Sequence, residues 1–145
     1  MRNLIIYAIA ACSFLLFNAS GCHTKESDTC HRFIHFTNES GRDVYYRIRI
    51  FDEIGEYNPA LSPVTYKIKN SETGKLRFDT GLSCFETVEE DGNGRGKIYL
   101  FLFDPYVAEH CDWKTVQKEN KYLKKYVLTI GELNKANWKI VFTGD

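Results

Sequence analysis

The chain carries no surplus of charge of either sign: 19 basic side chains stand against 19 acidic ones. A protein that holds nucleic acid through its phosphates needs a basic face, so no nucleic-acid partner is expected. The spacings that mark common reactive centres are missing as well. There is no Cys-x-x-Cys, no His-Glu-x-x-His and no Gly-x-Ser-x-Gly. Asp91-Gly92-Asn93-Gly94 lacks the twelve-position pattern and terminal Glu of a calcium loop, and reads as a turn. No internal repeat and no low-complexity tract interrupts the chain, which holds one domain's worth of residues.

Apolar runs long enough to span a bilayer are also lacking. The longest, Leu4 to Phe17, contains no ionisable group except Tyr7 and Cys12. It is about 14 residues long and rises about 21 Å as a helix, against a hydrocarbon core of about 30 Å. That length suits the apolar centre of a secretory signal. Arg2 supplies the positive charge before it, and Asn18-Ala19-Ser20-Gly21 supplies small residues after it, immediately before Cys22.

Ala19-Ser20-Gly21-Cys22 resembles a lipobox, with Ala19 where Leu is most usual. The resemblance implies that Met1–Gly21 is removed and that the Cys22 thiol takes the lipid and becomes the mature N-terminus. Two or three acyl chains hold a protein durably on a membrane, where one binds only marginally. Removal of residues 1–21 takes away Arg2 and no acid, leaving 18 basic against 19 acidic groups, a net charge of −1.

Of the remaining cysteines, Cys30, Cys84 and Cys111 are available to pair in an exported compartment. One disulfide and one free thiol is the natural expectation, and the spacing does not choose among the three pairings. Cys30, His31 and His35, with His110-Cys111-Asp112, are metal-ligating residue types. Strand residues four apart lie about 13 Å from each other, so His31 and His35 cannot share one ion directly, and neither a metal nor another cofactor is expected. Consecutive His110, Cys111 and Asp112 point apart and do not make a catalytic relay.

Residues 22–30 read as a polar tether and 31–145 as a single β-rich domain. Arg32 to Thr37 and Val44 to Phe51 alternate as strands around Asn38-Glu39-Ser40-Gly41, which predicts a β-hairpin. In the second, Val44, Tyr46, Ile48 and Ile50 share one face. Tyr45, Arg47, Arg49 and Phe51 share the other, a candidate binding patch because aromatic and Arg side chains are enriched where partners bind. Thr65–Ile68 and Leu76–Asp79 are weaker strands. Ser83 and Glu86 have capping-box spacing for a short helix to about Glu90.

Ile98 to Phe103 is apolar at every position, as in a strand covered on both faces. Pro105 suits a first helical position, Asp112 can cap a helix from Trp113 to about Asn120, and Thr129 with Glu132 can box another ending near Asn137. Tyr122–Thr129 and the alternation of Trp138, Ile140 and Phe142 complete the strands. The expected fold is mainly β with an α+β tendency: a small antiparallel sandwich with two or three short helices in its connections.

Phe101-Leu102-Phe103-Asp104, Trp113 opening a helix, Tyr122 to Thr129, and Glu132-Leu133 through Asn137-Trp138-Lys139-Ile140 are similar to a set of small lipoproteins of Bacteroidetes. The likeness spans roughly residues 98–142 together with the lipobox arrangement. It implies an outer-membrane lipoprotein and carries no functional residues across. In that set, acidic or Lys-acidic stretches after the lipidated cysteine direct proteins to the outer face. Lys25-Glu26-Ser27-Asp28 is similar but interrupted by Ser27, which leaves the face open. The function expected is a non-enzymatic envelope module that binds or supports an envelope protein. The alternative is a surface accessory protein for a glycan or another small ligand.

Overall fold

Strands dominate this chain because its apolar residues recur at alternate positions, and two apolar strand faces must bury each other. The structure, a computed structural model, describes residues 26–64, 66–78, 84–90 and 96–144. Among them, strands β1 (Ile34–Asn38), β4 (Thr73–Leu76) and β7 (Lys139–Phe142) form a three-stranded sheet in the order β4-β1-β7. Strands β2 (Val44–Arg49), β3 (Lys67–Ile68), β5 (Lys97–Phe103) and β6 (Lys124–Thr129) form a second, ordered β3-β2-β5-β6. The fold is mainly β, as its alternation predicts. Every ladder is antiparallel except β1 with β7, which run parallel.

The core lies between the sheets. Ile34 and Phe36 of β1 meet Val44, Tyr46 and Ile48 of β2 and Ile98, Leu100 and Leu102 of β5. Each large apolar side chain taken fully out of water contributes about 1.5–3 kcal/mol. The alternate residues of β5, Tyr99, Phe101 and Phe103, build a second cluster with Ile54, Trp113 and Val116. Strand β5 is thus buried on both faces, which accounts for its unbroken apolar run.

The expected hairpin between the first two strands does not form. Strand β1 pairs with β4 and β7, and β2 with β3 and β5, so the connection crosses from one sheet to the other. Asn38, fully buried, holds that crossing. Its Nδ2 donates to the carbonyls of Arg42 (2.7 Å) and Ile68 (3.2 Å), and its Oδ1 accepts from the Ser40 hydroxyl at 2.7 Å. The arch places the two apolar faces against each other, where a hairpin would have set them side by side. Strand β4 also begins earlier than predicted, at Thr73, and pairs with β1 rather than β3. Gly74 explains one close approach of the sheets, since a Cβ there would fall 2.2 Å from Cδ1 of Ile68.

Four short helices fill connections among the described residues: α1 (Thr87–Glu90), α2 (Pro105–His110), α3 (Trp113–Glu119) and α4 (Ile130–Lys135). The last three start on local chemistry. Asp104 accepts from the amide of Tyr106 at 2.8 Å, and Asp112 from that of Thr115 at 2.9 Å. Thr129 and Glu132 complete a reciprocal capping box, and the Thr129 amide holds the Glu132 carboxyl below its ordinary value. Helices α2 and α3, with the chain from Asp52 through a 3-10 turn at Pro59–Leu61, cover the outer side of the second sheet. Gly55 fastens that chain. Its carbonyl accepts from Trp113 Nε1 (3.1 Å) and Gln117 Nε2 (2.6 Å), and its φ of +85° with the Arg49 guanidinium 3.0 Å from any Cβ leaves room only for glycine. On the outer side of the three-stranded sheet Thr73, Lys75, Lys139 and Val141 are exposed, and His35 and Thr37 half-buried.

Candidate functional site

The residues around the disulfide assemble at one end of the molecule. Cys30 is bonded to Cys84, with Cα atoms 5.0 Å apart, and Cys111 is free. The bond ties the chain entering β1 to the chain entering α1. Beside it, Glu86 binds His31 twice, accepting from its backbone amide at 2.9 Å and contacting its ring Nδ1 at 2.5 Å. The capping box expected between Ser83 and Glu86 falls on Ser83, which lies outside the described residues. A partner 55 positions away has taken the Glu86 carboxylate.

The His31 ring in turn stacks on Trp138, centroids 4.1 Å apart and planes 11° from parallel. Trp138, only 4 % exposed, sits at a φ of +57°, and Asn137 before it at +50°. A bulky side chain in the left-handed region is strained, by about 1–3 kcal/mol, and persists only when its surroundings fix it. Here its indole Nε1 donates to Asn134 (2.9 Å), its amide to Leu133 (2.8 Å), and its carbonyl accepts from His35 (2.8 Å).

This corner walls an open cleft of about 550 Å³. One side is the chain arriving from the tether, Glu26, Ser27 and Asp28, which turns through a backbone bridge between Ser27 and Cys30. The end of the predicted tether thus folds back on the domain. The other side is His31, His35, Asn134 and Asn137, with Trp138 beneath. Carboxylates, amides, a hydroxyl and imidazoles suit hydrogen bonding to a polar ligand. His31 already has an acidic partner, so Glu26 and Asp28 give the cleft a negative bias.

The patch expected on the second strand is not an open platform. Strand β2 ends at Arg49, leaving Phe51 beyond it and exposed. Arg47 is 3 % exposed, its guanidinium 5.7 Å from the Tyr66 ring centre, and Arg49 lies against Gly55. Tyr45 packs on the second apolar cluster. The alternation revealed a second face, and the helices that cover it come from more than 50 residues further along the chain. At its rim, Tyr45 donates to Glu109 (2.9 Å) and Lys67 donates to the same oxygen (3.2 Å). The Tyr45 hydroxyl, followed by the Lys67 ammonium, holds the Glu109 carboxyl below its ordinary value. Desolvation first, and then Glu109, raises the Tyr45 hydroxyl. These are surface bonds of modest energy.

Cys111 packs against the helix-covered cluster, whereas His35 lies on the outer side of the other sheet; the histidine beside Cys111 is its chain neighbour His110, whose ring stacks on Tyr106. Among the described residues no three His, Cys, Asp or Glu side chains converge as metal ligands, and no helix is long and apolar enough to cross a membrane. The signal segment and Cys22 lie outside the described residues. No protein-family model matches the chain, and no curated protein or solved structure matches it either.

Proposed function

We propose that the chain is a lipid-anchored, non-catalytic module of the bacterial cell envelope, held by acyl chains on Cys22, whose domain binds or supports another envelope component. The observation that carries this reading is the Cys30–Cys84 bond, eight residues beyond the lipobox cysteine. Disulfides persist in oxidising compartments outside the cytosol, and the signal-like start with its lipobox provides the route there. The resemblance to Bacteroidetes lipoproteins favours the outer membrane. His110, the histidine beside Cys111, turns its ring onto Tyr106 and its Nδ1 to the Tyr106 carbonyl, which supports a binding role over nucleophilic chemistry.

Cys22→Ala is the direct test. Incorporation of labelled palmitate should fall to background, and the protein should accumulate as a longer precursor on a gel. Unchanged labelling and mobility would overturn the lipid anchor. Shaving intact cells with protease then distinguishes the outer from the periplasmic face.

A second reading rests on the cleft. Its paired carboxylates and amides match a neutral, hydroxyl-rich ligand such as a saccharide, and its volume falls among small-ligand sites. Calorimetry against neutral oligosaccharides should give heat that His35→Ala reduces by about five- to tenfold in affinity, the loss of one hydrogen bond. Flat titrations across the panel retire this reading.

A further inference from the structure

The outward side of the three-stranded sheet has a charge pattern that the fold does not need. Register sets Lys75, His35 and Lys139 side by side across β4, β1 and β7. Arg77 follows one alternation beyond Lys75, and the Lys75 ammonium lies 5.3 Å from the centre of the Phe33 ring. The neighbouring row is Thr73, Thr37 and Val141, so neither row contains an acid. Lys75, Arg77, Lys139 and Val141 are all exposed. Lys75 and Lys139 flank His35 on either side, and no acidic residue stands opposite either lysine in the ladder.

The tether determines what lies outside. Glu26 and Asp28 line the same cleft as His35, so the chain from Cys22 reaches the domain beside the middle of the basic row. Three residues separate Cys22 from Glu26, and the four steps between them span at most about 14 Å. An acyl chain on Cys22 therefore keeps this sheet face close to headgroups. At this end Glu86 is engaged by His31, while Glu26 and Asp28 line the cleft. The latter two repel phosphate from the cleft and leave the contact to the strand side chains beyond it.

We propose that the outer face of the β4-β1-β7 sheet lies against anionic lipid headgroups, with Lys75, Arg77 and Lys139 meeting phosphates and Phe33 and Val141 at the interface. The proposal rests on the anchored-lipoprotein reading and adds an orientation to it. Each Lys or Arg near an anionic surface raises partition about fivefold, the equivalent of the known attraction per basic residue. The effect decays over a Debye length of about 8 Å in physiological salt.

The test uses the full acylated protein extracted from its membrane and placed in nanodiscs of phosphatidylcholine, alone or mixed with phosphatidylglycerol. A water-soluble amine reagent then labels lysines, and peptide masses report the rates. Lys75 and Lys139 should label about threefold or more slowly in the anionic discs, with recovery in high salt. Lys114 and Lys118 on α3, beyond the second sheet, should not change. Equal rates for Lys75 and Lys139 in the two lipids, whether fast or slow, overturn the proposal. The intact mass of the same preparation reports acylation of Cys22 separately. Should it be unacylated, cosedimentation with phosphatidylglycerol vesicles decides the face alone. Binding that Lys75→Gln/Lys139→Gln weakens about tenfold or more supports it, and no binding overturns it.

Discussion

Loss of the Cys30–Cys84 cross-link is expected to lower the unfolding free energy of the domain by about 4 kcal/mol, the chain-entropy value for a loop of this size. The two cysteines are 54 positions apart, and the loop they close contains β1 to β4 and so touches both sheets. In the unfolded chain the bond removes the freedom of that whole loop. In the folded chain it aligns the two segments that exchange the His31–Glu86 contacts and the 2.8 Å bond from the Phe85 amide to the His31 carbonyl. Phe85 itself stays buried, tilted on Phe78 at 4.3 Å between centroids, so the native contacts near the bond do not all depend on it. The measurement is urea unfolding of oxidised protein, reduced protein and Cys30→Ser/Cys84→Ser. The last two should coincide and sit well below the first, while Cys111→Ser should stay within about 0.5 kcal/mol of the parent. Superposition of the oxidised and reduced curves would show that the loop entropy is not where this domain's stability comes from.

The same cross-link shows where sequence reasoning stops. Cysteine count and compartment lead to one bond and one free thiol, but the partner is chosen by packing that brings Cys84 beside the start of β1. Features read within three or four residues fare better. Asp112 and the Thr129–Glu132 box start their helices because a cap needs only a side-chain oxygen and an amide three positions on, and Pro105 opens its helix because its φ is already helical. Ile98 to Phe103 identifies a doubly covered strand because no polar residue interrupts it. Pairing is another matter. Alternation in β1 and β2 is equally compatible with a hairpin and an arch, and Asn38, a common turn residue, decides between them through bonds to Arg42 and Ile68. The patch at Tyr45, Arg47, Arg49 and Phe51 fails for a related reason. Periodicity separates two faces of a strand, yet only the tertiary fold brings Trp113, Val116 and Gly55 over the second one. The Lys75–His35–Lys139 row is invisible in the sequence, since its members come from three strands and acquire their proximity from register alone.

Trp138→Ala is expected to cost about 3–5 kcal/mol, the range for truncating a buried aromatic, although the substitution acts on a residue whose backbone is strained. Two effects oppose each other. Alanine relieves little of the left-handed penalty, because any Cβ meets it, and even full relief is worth about 1–3 kcal/mol. Against that stand the lost burial, the stack on His31 at 4.1 Å, the contact with Phe85 at 5.6 Å and the bond to Asn134. The packing terms are larger, so the variant is destabilised. Asn137→Gly separates the two contributions. Asn137 has the same left-handed φ but an exposed side chain, and glycine adopts that conformation without strain, so its stability should change by less than about 1 kcal/mol. Trp138→Phe should fall between, since it keeps a ring beneath His31 and leaves the exposed Asn134 to bond water. Denaturant unfolding followed by circular dichroism measures all three, avoiding dependence on the fluorescence of the tryptophan being removed. A loss below about 1 kcal/mol in Trp138→Ala would mean that the His31 stack and the walls of the cleft are not held by this side chain. If instead the order is Ala, Phe, parent, with Asn137→Gly near the parent, Trp138 is strained because it is the post on which the tether-end cleft is built.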